Sequence, residues 1–563
     1  MSLVATEPSA AVLRVGLLLD GERVPAWIAN LLERLLGIGD CRIVLIATSA
    51  GAPTQAPEDI GDWRRTDLSR AWQWWLRMER WRFPVALATF VLQTLPLALL
   101  DVDQVVLPAG TDLGDLPEAV LERFTAARLD VILQLGLVEL GAALCRHARF
   151  GVWRLASGAV DRDRSGPPGF WEVVRGEATT QARVEVLTDP AIAPATLAIG
   201  TFISDRRSVL VNRAAHYPAA ASLVVRELGA LRRCGEAAFR ARVNSAARAG
   251  SVAQSGTRPR AAGMASPGAA LFAALRVNLR RLRESVRERF SRDQWILLFS
   301  FAVSDSVDLN FRHFARITPP KDRFWADPFV VHDSGRWYVF IEEFVYDEGR
   351  GVLAYIEISR DGSWTQPRRI LELPYHLSYP QVFEHEGQWY MLPETYGARR
   401  IELYRAVEFP NRWEKERTLI DGIDAVDATL LQRDGKWWLF ANVRLDKRHT
   451  HGEALWIFAS DEPIYGAWTA HCGNPVVLDA TSARPAGRFF SDGDRLLRPS
   501  QDGSNRYGYA LKLNEVRRLD AGGYEECCIA HFGPGFQRDL VGVHTLSHAN
   551  GLTVIDALRR HFR

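Results

Sequence analysis

The first half of the chain alternates short apolar runs with segments of helical periodicity. Val12–Leu19 and Arg42–Ala47 are continuous apolar runs, and Pro25 between them opens a segment whose apolar residues recur at helical spacing. Continuous apolar runs are typical of parallel strands that are buried on both faces. The pattern therefore predicts an α/β domain, Rossmann-like in its order of strands and helices, over residues 1–243.

The second half has the pattern of short aromatic strands separated by turns. Five segments align on one glycine each, with spacings of 52, 48, 58 and 58 residues. A repeat of about 50 residues with one hairpin signal is the signature of propeller blades. We therefore predict an all-β five-bladed propeller over residues 296–563, with its last blade closed by the strand Trp295–Phe301. The aligned glycines are Gly335, Gly387, Gly435, Gly493 and Gly551.

The two predicted domains are joined by residues 244–295. Residues 244–270 are rich in Ala, Gly, Ser and Pro, which is typical of a flexible linker. A basic helix follows, and its arginines indicate a solvated face rather than a binding site.

Residues 63–100 combine a helix rich in Trp and Arg with the apolar stretch Phe83–Leu100. One interpretation is a helix that is buried or packed on a partner. The other is peripheral contact with a membrane, because Trp and Arg suit the interface between lipid and water. Pro84 and Pro96 disfavour a full membrane span.

Equivalent strand positions in successive blades point at the propeller axis. Acidic residues occur eight residues before and seven residues after several of these glycines. Three of them, Asp327, Glu394 and Asp427, are the candidate catalytic residues. Glycosidic chemistry needs one acid to protonate the leaving oxygen and a second carboxylate to activate water or attack carbon. Of the basic residues, we expect Arg498 or His544 beside them. The candidate substrate-binding residues are Glu342, Glu343, Arg484, Arg488, Arg498, Gln501, Asp502 and His544.

Charge and motifs exclude several function classes. The net charge of +2, from 69 basic and 67 acidic residues, gives no global field for nucleic acid, so no nucleic-acid partner is predicted. The chain has no P-loop, no dinucleotide fingerprint and no zinc spacing, so no cofactor and no metal are predicted. The first residues lack the pattern of a secretion signal. We expect a cytoplasmic protein that can associate with the inner face of the membrane.

The propeller repeats carry a family resemblance. WADPFVVHDSGRWYVFIEEF resembles the first blade of five-bladed glycoside hydrolases of the arabinanase, xylosidase and invertase type, and Asp327 matches their catalytic Asp. More closely, YPQVFEHEGQWYMLPET, DATLLQRDGKWWLF and RPAGRFF resemble the propeller-like N-terminal domain of plant glucosamine inositolphosphorylceramide transferases, over about residues 296–560. The hydrolases have an Asp in the second blade where this chain has Ser378–Tyr379–Pro380, and their general acid Glu comes from the third blade, where this chain has Asp427 and Asn442. The resemblance therefore implies a sugar-sized polar pocket without the complete hydrolase set.

Residues 12–230 resemble the fold of methionyl-tRNA and sugar N-formyltransferases, through the order of GVWRLASG and SGPPGFWE after the first βαβ unit. The positions of the formyl-transferring Asn and His hold Arg154 and Ala156, and Ile199 and Gly200 stand where the acid is expected. Formyl transfer needs these groups to stabilise an oxyanion. The resemblance thus implies a formyltransferase-like scaffold without formyl transfer.

Two functions follow from these expectations. The first is a carbohydrate-active protein of surface glycan or glycolipid metabolism, whose propeller pocket binds a glycosyl unit and cleaves or transfers it. The alternative is a non-catalytic glycan-binding or scaffold protein, and a third, weaker alternative is a sugar N-formyltransferase. Each has a glycan or another sugar-containing molecule as its partner.

Overall fold

The chain folds into two compact units, residues 1–284 and 285–563. In the computed structural model the described residues are 12–49, 70–95, 102–107, 116–136, 141–157, 169–253, 267–302, 306–445 and 451–562.

A mixed seven-stranded sheet forms the centre of the first unit. The strands of this unit are β1 (Leu13–Leu19), β2 (Arg23–Pro25), β3 (Cys41–Ser49), β4 (Leu92–Thr94), β5 (Asp103–Leu107), β6 (Val131–Gln134), β7 (Val152–Ser157), β8 (Thr179–Leu187) and β9 (Ala195–Ile203). The sheet order is β5-β3-β1-β6-β7-β8-β9, and β2 pairs with β4 outside it. The first five strands in this order are parallel, as the apolar runs predict, whereas β8 pairs antiparallel with both β7 and β9.

The described helices belong mainly to the first unit. They are α1 (Ala26–Ile38), α2 (Arg70–Arg82), α3 (Glu118–Ala126), α4 (Gly141–Leu144), α5 (Phe170–Arg175), α6 (Val209–Ala253) and α7 (Pro267–Phe290). Residues 244–253 of the predicted linker continue α6, and its residues 254–266 lie outside the described residues. Among the described helices, none has the length and hydropathy that crossing a membrane requires.

The formyltransferase resemblance of the first unit stays a prediction, because a mixed α/β sheet is shared by many unrelated functions. Arg154 and Ala156 lie on β7, and the guanidinium of Arg154 is 2.7 Å from the carboxylate of Glu185 on β8. The turn expected at Arg164–Pro168 lies outside the described residues.

Five antiparallel sheets make up the second unit, as the glycine repeat predicts. The unit begins with β10 (Ser291–Phe301) and β11 (Ala315–Ile317). Blade 1 is β12 (Arg323–Asp333), β13 (Arg336–Val345), β14 (Arg350–Ile358) and β15 (Arg368–Leu371). Blade 2 is β16 (Ser378–His385), β17 (Gln388–Glu394), β18 (Arg400–Glu408) and β19 (Arg412–Asp421). Blade 3 is β20 (Ala425–Arg433), β21 (Lys436–Val443), β22 (Ala454–Ser460), β23 (Thr469–Ala470) and β24 (Val477–Leu478). Blade 4 is β25 (Arg484–Pro485), β26 (Phe490–Asp492), β27 (Arg495–Asp502), β28 (Ala510–Asp520) and β29 (Gly523–Phe532). Blade 5 adds β30 (Leu540–Gly542), β31 (Leu546–Ala549) and β32 (Leu552–Phe562) to β10 and β11.

The blades form a closed ring. An apolar cluster lies between each pair of neighbouring blades: Val330 packs with Val554, Phe329 with Tyr379, Leu392 with Leu430, Phe440 with Phe489, and Leu511 with Ile555. The last of these clusters joins blade 4 to blade 5, and the first joins blade 5 to blade 1. Strand β10 pairs with β32 from Ser291 opposite Phe562 to Phe301 opposite Leu552, which confirms the predicted closing strand.

The predicted glycines occupy the hairpin turns. All five have positive φ, between 61° and 82°, which is the backbone region that glycine tolerates best. In four blades the preceding residue also has positive φ, as type I′ hairpins require. These tight turns fix the strand register, so that the residue seven after each glycine has a defined partner. In the first three blades the pairs are Ala326–Glu342, Ser378–Glu394 and Val426–Asn442.

Candidate functional site

Three successive blades carry the same irregularity in their first strand. In β12, β16 and β20 the pairing skips two residues, directly after Ala326, Ser378 and Val426. Asp327 and Asp427 begin two of these bulges, with φ of 51° and 54°. The left-handed region costs a non-glycine residue free energy, and strained positions of this kind cluster at functional sites.

In each bulge, the first unpaired residue directly follows a residue that pairs with the next strand of the same blade. Asp327 follows the partner of Glu342, and Asp427 follows the partner of Asn442. In blade 2 the bulge residue is Tyr379, and the carboxylate comes instead from Glu394 on the neighbouring strand. All these side chains are buried. The first three blades thus contribute Asp327, Glu342, Glu394 and Asp427 to one buried polar cluster.

Two side chains of blade 4 donate hydrogen bonds to Asp427. Arg484 donates from Nε to Oδ2 of Asp427, and Gln501 donates from Nε2 to the same oxygen at 3.3 Å. Glu394 shares a hydrogen bond with Asp427. Burial, and then the charge of Asp427, hold the pKa of Glu394 well above its usual value, although Arg484 acts against them. The surroundings of Glu394 therefore favour the protonated form of its carboxyl group.

Asp327 is held from blade 5. The Thr545 hydroxyl donates to Oδ1 of Asp327 at 2.9 Å, and His544 Nε2 lies 3.8 Å from the same oxygen. The other imidazole nitrogen, Nδ1, is 2.6 Å from Oδ2 of Asp556. Asp556 also accepts the backbone N–H groups of Asp327, His544 and Thr545 at 2.9, 3.1 and 2.9 Å.

The charges in this part of the cluster are mutually dependent. Burial raises the pKa of Asp327 to about 6; His544 opposes this rise, and Asp427 and Asp556 add to it. Burial alone would lower the pKa of His544, but Asp556 and Asp327 outweigh it, so the His544 pKa lies above its usual value. The imidazole of His544 thus lies between the carboxyl groups of Asp556 and Asp327, and both favour its protonated form.

Two carboxyl oxygens of the cluster are left without a hydrogen bond. Among the described residues, neither Oε1 of Glu342 nor Oε2 of Glu394 has a hydrogen-bond partner, although both atoms are buried. His376 Nε2 lies 3.5 Å from Glu342 Oε1, within range of an ion pair only. Burial, followed by Asp327 and Glu394, raises the pKa of Glu342 well above its usual value. Buried polar atoms are normally satisfied, so these two oxygens are available to a further hydrogen-bond donor within the cluster.

An aromatic wall lies beside the imidazole. His544 stacks on Trp295, with ring centroids 3.9 Å apart and planes 14° apart. Tyr507 meets both rings edge-on, and the guanidinium of Arg484 lies 4.9 Å from its centroid. Tyr507 is nevertheless 53% exposed. We call the residues contributed by the five blades the axial site; they are Trp295, Asp327, Glu342, Glu394, Asp427, Arg484, Gln501, Tyr507, His544, Thr545 and Asp556.

The structure brings seven of the eleven predicted site residues into the axial site, and the three candidate catalytic residues Asp327, Glu394 and Asp427 are among them. Four others contact different parts of the unit. Glu343 pairs with Arg323 and Arg369 in its own blade. Asp502 faces His531, Arg498 pairs with Glu526, and Arg488 donates to the carbonyl of Val382. Thus His544 and not Arg498 stands beside the carboxylates. Glu342 and Gln501 complete the set that the repeat register predicted.

Trp295, Tyr507, Thr545 and Asp556 belong to the axial site and were not among the predicted site residues. Tyr507 precedes β28 in a loop outside the repeat register, so the spacing rule gives no signal for it. Thr545 follows His544 directly, and only the neighbouring residue could have indicated it.

Asp327, His544 and Asp556 form the one described group whose side chains could hold a metal ion, with one ligand atom of each within 4.8 Å of the others. Asp556 already accepts three N–H bonds and the imidazole bond, so the arrangement works as a hydrogen-bonded ion pair. We therefore assign no cation to this group.

The second unit of the chain is similar to a described protein family. Residues 315–533 match the family described as "Glucosamine inositolphosphorylceramide transferase 1, N-terminal". This part of the chain is similar to the N-terminal domain of that transferase, as predicted. Relatives of the same name are 34% identical in Oryza sativa subsp. japonica and 31% identical in Arabidopsis thaliana, each over 206 residues. The match covers 36% of this chain and 27% of each relative, so the chain spans about a quarter of their length.

Solved glycoside hydrolases are similar at low identity. A family 117 glycoside hydrolase of Zobellia galactanivorans is 12% identical with a TM-score of 0.31, and covers 48% of this chain and 91% of its own. The catalytic domain of a GH62 alpha-L-arabinofuranosidase of Coprinopsis cinerea is 14% identical with a TM-score of 0.32, and covers 43% and 94%. The assignment of five blades rests on the five sheets themselves.

Proposed function

We propose that the second unit is a carbohydrate-active domain whose axial site binds a glycosyl unit of a glycan or glycolipid and cleaves or transfers it. The observation that carries the proposal is the pairing of two kinds of carboxyl group in one buried cluster. Burial and Asp427 favour the protonated form of Glu394, whereas Asp327 has a pKa of about 6 and contacts the Thr545 hydroxyl and the His544 imidazole. Glycosyl chemistry needs one acid and one base of this kind.

The roles follow from the protonation states. Glu394 would give its proton to the leaving glycosidic oxygen as the bond between that oxygen and the anomeric carbon breaks. Asp327 would accept the proton of the attacking water or acceptor hydroxyl, or would attack the anomeric carbon itself. His544 supports either role because its positive charge compensates Asp327 and Asp556.

Binding would involve the groups that surround these acids. Arg484 is a partly buried cation, and its contact with both Asp427 and Tyr507 places a charged donor beside an exposed ring. Sugar rings have apolar faces that stack on aromatic side chains, and hydroxyl rims that bond to charged groups. The similarity to the N-terminal domain of a glucosamine inositolphosphorylceramide transferase favours a glycolipid or a related glycan as the ligand.

Glycan binding without turnover is the second candidate function. It is favoured by the Arg484–Asp427 pair, since the cation and Gln501 both occupy Oδ2 of that carboxylate. A carboxylate held in this way binds sugar hydroxyls as an acceptor without taking part in proton transfer.

The test uses the full chain with Glu394→Gln and Asp327→Asn made singly. Glycan binding is measured on a glycan array, and turnover is measured on the glycans that bind and on a panel of aryl glycosides. We expect both variants to retain binding and to lose turnover at least a hundredfold. The control is Glu343→Gln, a buried glutamate whose partners are Arg323 and Arg369.

If the unsubstituted chain binds a glycan but does not turn it over, the binding function is favoured. If the producing cell shows the same surface glycans with either variant as with the unsubstituted protein, the catalytic proposal is wrong.

A further inference from the structure

Helix α7 exposes an apolar stripe on the side that faces away from its own core. Ala273 and Val277 are buried against Phe170 and Val173 of the first unit. Leu271, Phe272, Leu275, Leu279 and Leu282 are all exposed, and Leu271 is 70% exposed. At 100° per residue these five residues fall within one sector of about 100°, opposite to the buried residues.

Helix α2 has a matching stripe. Trp75 packs into the same core cluster, whereas Trp74, Met78 and Trp81 point outward at helical spacing. Trp81 is 78% exposed. Arg77 and Arg82 are exposed and flank this stripe on its two sides.

The two helices are neighbours. Glu79 of α2 accepts a hydrogen bond from Arg281 of α7, and the Arg281 guanidinium also lies 5.2 Å from the ring of Phe83. Both helices therefore bury one face in a common core and present the other to solvent. We call these exposed faces, within residues 74–85 and 271–284, the basic apolar surface.

The charge of this surface is concentrated. Residues 74–85 and 271–284 contain seven arginines and two glutamates, while the whole chain has a net charge of only +2. One of the glutamates, Glu79, is buried and paired with Arg281. The exposed arginines include Arg276 and Arg283, which lie along one edge of the α7 stripe.

We infer that the basic apolar surface binds an anionic membrane surface, with the Trp and Leu side chains in the headgroup region and the arginines on the lipid phosphates. Exposed apolar side chains on this scale mark an interaction surface, and monomeric proteins rarely leave such a face in water. A partner for it must combine an apolar layer with negative charge, and an anionic lipid leaflet has both. The arginine run of α7 is thus a binding element in addition to a solvated face.

The test measures binding of the full chain to vesicles of phosphatidylcholine, alone and with phosphatidylglycerol, by flotation. We expect binding to the anionic vesicles that weakens as salt is raised, and little binding to the neutral ones. Leu271→Ser with Leu275→Ser should weaken binding about tenfold or more, because two apolar side chains leave the lipid. Arg82→Gln and Arg283→Gln should each weaken it about fivefold.

The matched control is Ile192→Ser with Ile199→Ser, which removes two exposed apolar side chains of the first unit outside this surface. The control should bind vesicles as the unsubstituted chain does. Glu394→Gln should also leave vesicle binding unchanged, so failure of the sugar chemistry and failure of the membrane inference are separate results. Equal loss in the leucine and isoleucine variants, or equal binding to neutral and anionic vesicles, would overturn the inference. So would a dimer that the leucine substitutions dissociate, because a second copy would then cover the surface.

Discussion

His544 and Asp556 form a buried ion pair, with 2.6 Å between Nδ1 of the imidazole and Oδ2 of the carboxylate. Both residues belong to blade 5, yet Asp556 also accepts the backbone N–H of Asp327 in blade 1. The pair therefore connects the last blade to the first at the position where the ring closes. Its charge balance affects both the site and the stability of the fold.

Replacing His544 by Gln should destabilise the second unit by about 3–5 kcal/mol, because Asp556 and Asp327 then lack their common cation. Denaturant unfolding, followed by hydrogen exchange of the β32 amides, measures this loss. The double variant with Asp556→Asn should be less unstable than the sum of the two single variants. Strict additivity would show that the imidazole and the carboxylate do not depend on each other.

The pH dependence of stability should change with Glu394→Gln. The pKa of Glu394 is raised in the folded state, so between its usual value and the raised value the folded chain binds more protons than the unfolded chain. This difference makes the free energy of unfolding fall as pH rises through that window. Glutamine resembles the protonated form, so the variant should be more stable than the unsubstituted chain at about pH 8 and similar to it at about pH 4.

Denaturant unfolding at the two pH values tests this prediction. A variant that is less stable at the higher pH would contradict it. Glu343→Gln is the control, because Arg369 and Arg323 keep the pKa of Glu343 below its usual value despite burial.

Tyr507 should act as a stacking surface for the sugar. Its ring is half exposed beside Arg484 and His544, so Tyr507→Leu removes the flat face and keeps apolar bulk. We expect glycan binding to weaken about fivefold, equivalent to about 1 kcal/mol. Tyr465→Leu is the matched control, since Tyr465 is an exposed tyrosine that bonds to Glu416 outside the axial site. If both substitutions weaken glycan binding equally in a binding isotherm, Tyr507 is not a stacking surface for the sugar.

The hairpin glycines can be tested at Gly387, whose φ is 76°. Gly387→Ala has room for its Cβ but must adopt the left-handed conformation, at a cost of about 1–2 kcal/mol. Gly533→Ala is the control, because Gly533 has equal room and no left-handed φ. It should be neutral or stabilising by up to about 1 kcal/mol. Thermal unfolding of the second unit compares the two, and equal shifts would show that turn strain does not limit stability.

Much of the propeller could be predicted from the sequence because the same hairpin turn recurs in each blade. A two-residue turn at each glycine fixes the register, so Asp327, Glu394 and Asp427 were predictable from their distance to Gly335, Gly387 and Gly435. The alternation of side chains along a strand explains why Glu343 lies elsewhere. Successive residues of a strand point to opposite faces, and Glu342 lies on the face that carries the axial site. Applying that rule would have separated these two residues.

The remaining features depend on contacts that have no local signal. The stack of Trp295 on His544 lies within blade 5, but it brings together the first strand of the unit and a residue about 250 positions later in the sequence. Tyr507 reaches the site from a loop whose length differs between blades. In the first unit, β8 runs antiparallel to both of its neighbours, β7 and β9, and apolar content alone does not specify strand direction.

The bulges at Asp327, Tyr379 and Asp427 separate the chemistry of the site from the construction of the blades. A bulged residue takes no part in the ladder, so its identity can change while every strand pair keeps its partners. Blade 2 illustrates this freedom, since a phenol occupies the position of an acid and the register is unchanged. Chains that share this scaffold can therefore diverge in substrate and reaction by exchanging three side chains, long before their folds become different.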